Sequence, residues 1–432
     1  MHRKAFYAEY IYYQGEIHRD SYLLVVGDKI YGISEHADEE GSTGYDIEHF
    51  HNSIIFPGLI NTHTHLPMVL FRGMADDLSL MDWLQKHIWP AESKWLSEDF
   101  AIASAELAAV EMIKSGTTTC CDMYFHAEAV ASVLHRAGLR AMMGIGVLDF
   151  ATKFGENADD YIERASEFYL KYEKDRLIST SLCPHAPYTV KPENFQKCVD
   201  FCKKHDLLLH THLSEAPNEN QICIDKYGKT PVQIMNDIGA LELQNNFAHC
   251  VHLSDEDLQL LGDTGANVSH CIQSNMKLGS GFARIKEMVE AGINISIGTD
   301  GAASNNDLDM IGEMNSVALV HKGLNQDATV LTAETVLKMA TINGAKTLGL
   351  NRVGELKRGN QADFIVVSMD EPHMTPVFNP ISHLIYSAKS TDVTATYVAG
   401  QCLMKDRELL TLDEQTIKDN ARKWAQKIQD NK

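Results

Sequence analysis

Ile54-Ile55-Phe56-Pro57-Gly58-Leu59-Ile60-Asn61-Thr62-His63-Thr64-His65 reads as a buried strand that delivers two histidines at its end. The run Ile54–Asn61 is apolar and β-branched, and it lacks the 3.6-residue spacing of a helix. Residues two apart in an extended chain share a face, so His63 and His65 send their imidazoles the same way. In a chain with 20 histidines such a pair means little alone; its place at the end of a strand gives it weight.

Downstream, a helix is signalled by Ser97 as its cap, Glu98 and Asp99 at its positive end, an alanine-rich body and Gly116 as its stop. A second strand, Thr117–Met123, follows at once. The alternation continues through Arg140–Leu148, Ile178–Cys183, Leu207–His212, Phe247–His252, Asn267–Cys271 and Ile293–Thr299. Eight strands separated by helical segments predict a (β/α)8 TIM barrel over residues 56–349, whose functional groups gather at the C-terminal strand ends. Outside it, residues 1–55 and 350–412 carry alternating strands such as Tyr22–Val26 and Asp363–Val367. The two segments are expected to build one small β-sandwich domain together, and 413–432 reads as a charged terminal helix.

The predicted strand ends collect further chemistry. The fifth closes with Leu209-His210-Thr211-His212-Leu213-Ser214-Glu215, the sixth carries His249, and the eighth runs into Gly298-Thr299-Asp300-Gly301. His212 is the third imidazole expected at the mouth; His210 shares its parity but lies one layer deeper, as a hydrogen-bonded core histidine. His63, His65, His212 and Asp300 would surround one metal ion. Imidazole and carboxylate suit zinc, and iron, cobalt or manganese also accept these donors.

Composition narrows the function classes. Lys and Arg total 38 against 59 Asp and Glu, a formal charge of −21 that repels polyphosphate and argues against nucleic-acid partners. There is no Cys-x-x-Cys zinc motif of the nucleobase-editing deaminases, no P-loop and no dinucleotide-binding glycine fingerprint. The nine cysteines lack disulfide-scaffold spacing and are expected as reduced, mostly buried thiols. No signal core and no apolar run of roughly twenty residues is found, so the expectation is a cytoplasmic protein without a membrane partner. A homo-oligomer is left open.

Several longer stretches now bear on identity. They are Pro57 to His65, Ile88-Trp89-Pro90-Ala91-Glu92, Pro184-His185-Ala186-Pro187-Tyr188-Thr189, His212-Leu213-Ser214-Glu215, Ser274-Asn275-Met276-Lys277-Leu278-Gly279-Ser280-Gly281 and Gly298 to Asn306. In these, nearly end to end, the chain resembles the methylthioadenosine/S-adenosylhomocysteine deaminase group of the amidohydrolase superfamily. The resemblance implies that His63, His65, His212 and Asp300 bind one divalent metal, a zinc ion per chain, and that Glu92, His185 and Glu215 contact substrate.

Chemistry supports the same roles. Asp300 can take the proton of the attacking water, His249 can orient that water, and Glu215 can protonate the ring nitrogen beside the carbon under attack. A carboxylate at Glu92, placed in the loop before the Ser97 helix, can accept two ribose hydroxyls. Many relatives hold two metals through a lysine on strand four; here that strand reads Leu182-Cys183-Pro184-His185, so a single metal is implied.

The expected reaction is zinc-dependent hydrolytic deamination of an adenine nucleoside, foremost 5′-methylthioadenosine, with S-adenosylhomocysteine, adenosine and 5′-deoxyadenosine as relatives. The alternatives are a deaminase or chlorohydrolase of another ring, such as guanine, a pterin or a triazine, and a non-catalytic metal-binding barrel. Relatives that accept S-adenosylhomocysteine often carry an arginine at the end of strand three, where this chain has Met142 to Phe150 without a basic residue. An amino-acid tail is therefore expected to meet an apolar wall and Asp149, with Arg72 the one nearby cation.

Overall fold

The computed structural model describes residues 2–36 and 44–431; residues 1, 37–43 and 432, inside the segments 1–55 and 413–432 expected above, lie outside the described residues. Eight parallel strands follow one another around a barrel: Leu59–Thr64, Thr117–Tyr124, Arg140–Val147, Ile178–Pro184, Leu208–Leu213, Asn245–His249, Asn267–His270 and Asn294–Ile297. All but two of the 48 residues in these strands are buried, as expected for strands covered on both faces. The seam between strands eight and one is stitched by short contacts: Asn61 Nδ2 donates to Thr299 Oγ1 at 2.7 Å, Thr62 Oγ1 to the Ile297 carbonyl at 2.9 Å, and the Asp300 N–H to the His63 carbonyl at 2.9 Å.

Strand one differs from expectation. Residues 54–57 belong to a different strand, Asp46–Pro57, which pairs in parallel with Arg3–Tyr13 and antiparallel with Phe364–Ser368. The barrel strand starts at Leu59 and runs on to Thr64, so one unbroken apolar run serves two sheets. Periodicity cannot see the change of partner at Gly58, because both halves are buried.

That second sheet is mixed, has eight strands and draws on both termini. Phe6 lies on Arg3–Tyr13, and Tyr397 lies on Val393–Val398, three strands further across the sheet. In a flat sheet such strands stand roughly 14 Å apart. The Phe6 ring is nevertheless 5.0 Å from Tyr397 and 5.0 Å from Phe364. The sheet curls over its own core, which contains Ile11, Leu23, Val366 and Ala395. Both termini thus build one small β-unit as expected, but as a single curled mixed sheet and not as two packed sheets.

A buried bidentate pair ties it to the barrel. Arg140, the first residue of strand three, donates from Nε and Nη2 to the two oxygens of Asp363 at 2.9 and 3.2 Å. The chain closes with helix Glu414–Gln429, capped by Asp413; Trp424 sets its ring 5.3 Å from Phe100 on helix Glu98–Ser115. Among the described residues, no helix is long and apolar enough to cross a membrane.

Candidate metal centre and active site

The mouth of the barrel brings together the residues that the strand ends predicted. One donor nitrogen from each of His63, His65 and His212 lies within 4.8 Å of the others. Asp300 Oδ1 stands 3.2 Å from His65 Nε2 and 3.5 Å from His63 Nε2. His63 Nε2 is buried and has no hydrogen-bond partner, which leaves a lone pair aimed at the shared centre.

Electrostatics match a cation site. Burial pushes the His63 imidazole down to about 4 and holds His212 well below its ordinary value, so both present neutral nitrogens. Burial alone would raise Asp300, but its contacts with His63 and His65 hold it well below the usual carboxylate range. Three imidazoles around one anionic carboxylate are a donor set that fits zinc.

Each of these candidate ligands is aimed by a second group. His65 Nδ1 meets the Met123 carbonyl, and His212 Nδ1 meets the His185 carbonyl at 2.8 Å. His63 Nδ1 lies 3.0 Å from His210 Nε2, so His210 is the deeper core histidine expected, used here to orient a ligand. Asp300 Oδ2 accepts from Ser274 Oγ at 2.6 Å and Ser304 Oγ at 2.9 Å, while Oδ1 accepts the Gly301 N–H at 2.7 Å. Gly298 is required by close approach: a Cβ there would sit 2.8 Å from His63 N and 2.8 Å from His63 Cβ.

Facing these groups are Glu215 and His249. His249 Nε2 stands 3.7 Å from Glu215 Oε2, and its Nδ1 is fixed by Asn275 Oδ1 at 2.8 Å. Burial raises the Glu215 carboxyl, against a smaller opposing pull from His249, which favours its protonated form. His185 lies against His212, rings 4.8 Å apart, with Nδ1 2.9 Å from Thr189 Oγ1. Burial lowers it to about 4, a neutral imidazole.

Glu92 sits in the first turn of helix Trp89–Trp95, not in the loop expected. Pro90 near the start of that helix supplies the preset φ that a helix start accepts. Its carboxyl accepts the Tyr124 hydroxyl and is lifted by burial to about 7. Glu92, Tyr124, His185, Glu215, His249 and Asp300 share the wall of one cavity of about 440 Å³, a volume suited to a small ligand.

Two expectations about the wall fail. Asp149 points away, accepting the Lys191 N–H and Asn194 Nδ2, both at 2.7 Å, at the start of the next helix. Arg72 forms an ion pair with Glu111 on helix Glu98–Ser115 and is absent from the lining. The one cation on the described wall is Lys153, whose Nζ donates to the Ser93 carbonyl. The apolar part of that expectation holds, with Leu148, Phe125 and Phe154 on the wall. Sequence reading also gave no role to Tyr124, the last residue of strand two, or to Lys153, in the loop after strand three: neither belongs to a spacing pattern.

Comparison with known proteins agrees with this architecture. The Amidohydrolase family profile matches residues 54–403, and the chain belongs to that family. A 5-methylthioadenosine/S-adenosylhomocysteine deaminase of Thermodesulfovibrio yellowstonii is 44% identical over 377 residues, covering 87% of this chain and 86% of that protein. A 5′-deoxyadenosine deaminase of Methanosarcina barkeri is 44% identical over 408 residues, covering 94% and 93%. Among solved structures, an adenosine deaminase from Xanthomonas campestris with bound zinc superposes with a TM-score of 0.95 at 35% identity, over 98% of both chains.

Proposed function

We propose that this chain is a zinc-dependent hydrolytic deaminase of adenine nucleosides, converting 5′-methylthioadenosine or a close relative to the inosine analogue and ammonia. The observation that carries the reading is the convergence of three imidazoles and Asp300 on one centre, with the raised Glu215 carboxyl and His249 across the same cavity. His63, His65, His212 and Asp300 would hold one zinc ion, which when bound supplies Lewis acidity that makes water a better nucleophile at neutral pH. Every other step falls to the side chains.

Asp300 takes a proton from the attacking water, and His249, held by Asn275, orients that water. Glu215 gives its proton to the ring nitrogen next to the carbon under attack, so no negative charge builds on the ring. The departing amino group leaves as ammonia after receiving the proton that Asp300 took, and as the ring carbonyl forms the remaining proton of the former water returns to Glu215. Glu92, oriented by Tyr124, accepts the ribose hydroxyls, and His185 contacts the base as a neutral imidazole. The apolar wall of Leu148, Phe125 and Phe154 suits a methylthio group at the 5′ position, and Lys153 is placed to meet a carboxylate on a longer one.

We also place the chain in the cytoplasm, a reading supported by nine free cysteines, eight of them buried. A small nucleoside is the partner the reaction requires, and a homo-oligomer remains compatible with it.

The test is an assay of the purified protein against adenosine, 5′-methylthioadenosine, S-adenosylhomocysteine and guanine, with bound metal measured in parallel. A tight chelator should abolish deamination, and one equivalent of zinc should restore it. Glu215→Gln should lower turnover at least about a hundredfold with zinc retained. Full activity with two tightly bound metals, or preference for guanine, would overturn the reading.

A further inference from the structure

The turn that carries Glu215 is held from two sides. Ser214 adopts φ 51, a left-handed conformation that costs a side-chain-bearing residue energy. Its carbonyl accepts the Val251 N–H at 3.0 Å and the His252 N–H at 2.9 Å, and the Leu213 carbonyl accepts the Cys250 N–H at 3.0 Å. These bonds latch the turn of Glu215 to the turn after strand six, where His249 and Cys250 are also left-handed, at φ 73 and 48. On the opposite side, the Glu215 N–H donates to Glu219 Oε2 at 2.7 Å.

Glu219 is an unusual partner for that N–H. It opens helix Glu219–Tyr227, a position from which acidic side chains ordinarily reach water. Here it is 1% exposed, and its Oε1 has no hydrogen-bond partner. Burying a carboxyl costs free energy, so a residue needed only to start a helix gains nothing by facing inward. An exposed serine or aspartate would cap as well.

We propose that Glu219 is a positioning residue for the deamination: it pins the Glu215 backbone against the strained Ser214 turn and thereby fixes the distance over which Glu215 delivers its proton. The inference rests on the reading of Glu215 as the proton donor. Glu219 does not itself touch substrate, since it is absent from the described cavity wall. A carbonyl oxygen in place of Oε2 serves the same purpose, because accepting one N–H does not require a charge. Loss of the acceptor frees the turn to relax toward a commoner backbone conformation and withdraws the carboxyl.

The experiment compares Glu219→Ala, Glu219→Gln and Glu215→Gln in the zinc-loaded full chain. It reads kcat, KM, the solvent deuterium isotope effect on kcat, zinc content and Tm. Glu219→Ala should lower kcat by about thirtyfold, within the roughly hundredfold loss that a misplacement near 1 Å causes. KM and zinc content should stay near wild type, and the isotope effect should rise as proton delivery becomes limiting. Glu219→Gln should restore kcat to within about threefold of wild type, since its amide oxygen keeps the acceptor. The proposal is overturned if Glu219→Ala turns over like wild type, or if its kcat loss comes with parallel loss of zinc and an unchanged isotope effect. Full activity in Glu215→Gln would instead overturn the assignment of the proton donor, a failure the Glu219 variants alone do not produce.

Discussion

The two ends of the barrel solve the same backbone problem with different residues. At the base, where helices turn into strands, the left-handed positions before strands two, three, seven and eight are Gly116, Gly138, Gly265 and Gly292, with φ from 64 to 89. Before strand five stands Asp206, a residue type that tolerates this region. At the mouth, where strands turn into helices, the left-handed positions include Ser214, His249, Cys250 and Asp300. Glycine would relieve the strain at each but would delete the side chain. The base therefore keeps its turns unstrained, and the mouth accepts of order 1–3 kcal/mol of strain per residue to keep chemistry at the strand ends.

The contrast is broken most severely at Asp300. On the proposed mechanism Asp300→Gly should remove more than about a thousandfold of kcat, because the proposed proton acceptor and metal ligand would vanish together. The metal-free protein should meanwhile lose no more than about 1–3 kcal/mol, the cost of leaving the Ser274 and Ser304 hydroxyls without their acceptor, partly offset by relief of the left-handed residue. A large fall in the Tm of the metal-free variant would show that Asp300 is structural first. The converse change belongs at the base: a Cβ on Gly138 would lie 2.6 Å from Leu403 Cδ2, at φ 84. Gly138→Ala should cost about 1–3 kcal/mol of stability in denaturant titrations and leave the kcat of the folded fraction unchanged.

Smaller effects sharpen the picture of the mouth. Lys153→Met should reduce kcat/KM for S-adenosylhomocysteine about tenfold and leave 5′-methylthioadenosine untouched, equivalent to about 1.4 kcal/mol on one substrate alone. Equal losses on both would mean that Lys153 supports the loop and not the tail. The smallest change concerns pH. Burial lifts the Glu219 carboxyl from 4.5 to about 7, so the folded chain binds this proton more tightly than the unfolded chain does. The stabilisation is fully present below pH 4.5 and is lost as the pH rises through 7. The Tm should fall by a few degrees across that window, and Glu219→Gln should remove this group's share of the slope, leaving that of Glu92, which burial also lifts to about 7. A slope unchanged by the substitution would assign the proton elsewhere.

Much of this was legible in the sequence, for physical reasons. Barrel strands buried on both faces are short runs of apolar, small and β-branched residues without helical spacing, so Thr117–Tyr124 and Arg140–Val147 announce themselves. Ligands at strand ends inherit strand parity, which is how His63, His65, His212 and Asp300 could be placed together. What lay hidden depends on three-dimensional paths. The change of sheet at Gly58 leaves no mark, because both sides of it are buried. Asp149 and Lys153 stand four residues apart in one loop, and only the loop's course turns the first to a helix start and the second to the cavity. The Tyr124 contact with Glu92 joins strand two to a helix after strand one, a pairing no local pattern encodes.

The strand that ends at Pro57 has a consequence for how the molecule comes into being. It leads directly into the strand bearing His63, and its edge pairs with Phe364–Ser368, while Glu48 on the same strand accepts a bond from Tyr397, 349 positions away. During translation, every helix and strand of the barrel leaves the ribosome before those partners exist. The edge of Asp46–Pro57 therefore waits unpaired through most of synthesis, a template for wrong neighbours. Closing so long a loop adds little entropy beyond that of a moderate one, but contacts of such high sequence separation form late. The root of the strand that carries His63 and His65 is thus among the last parts of the nascent chain to be secured.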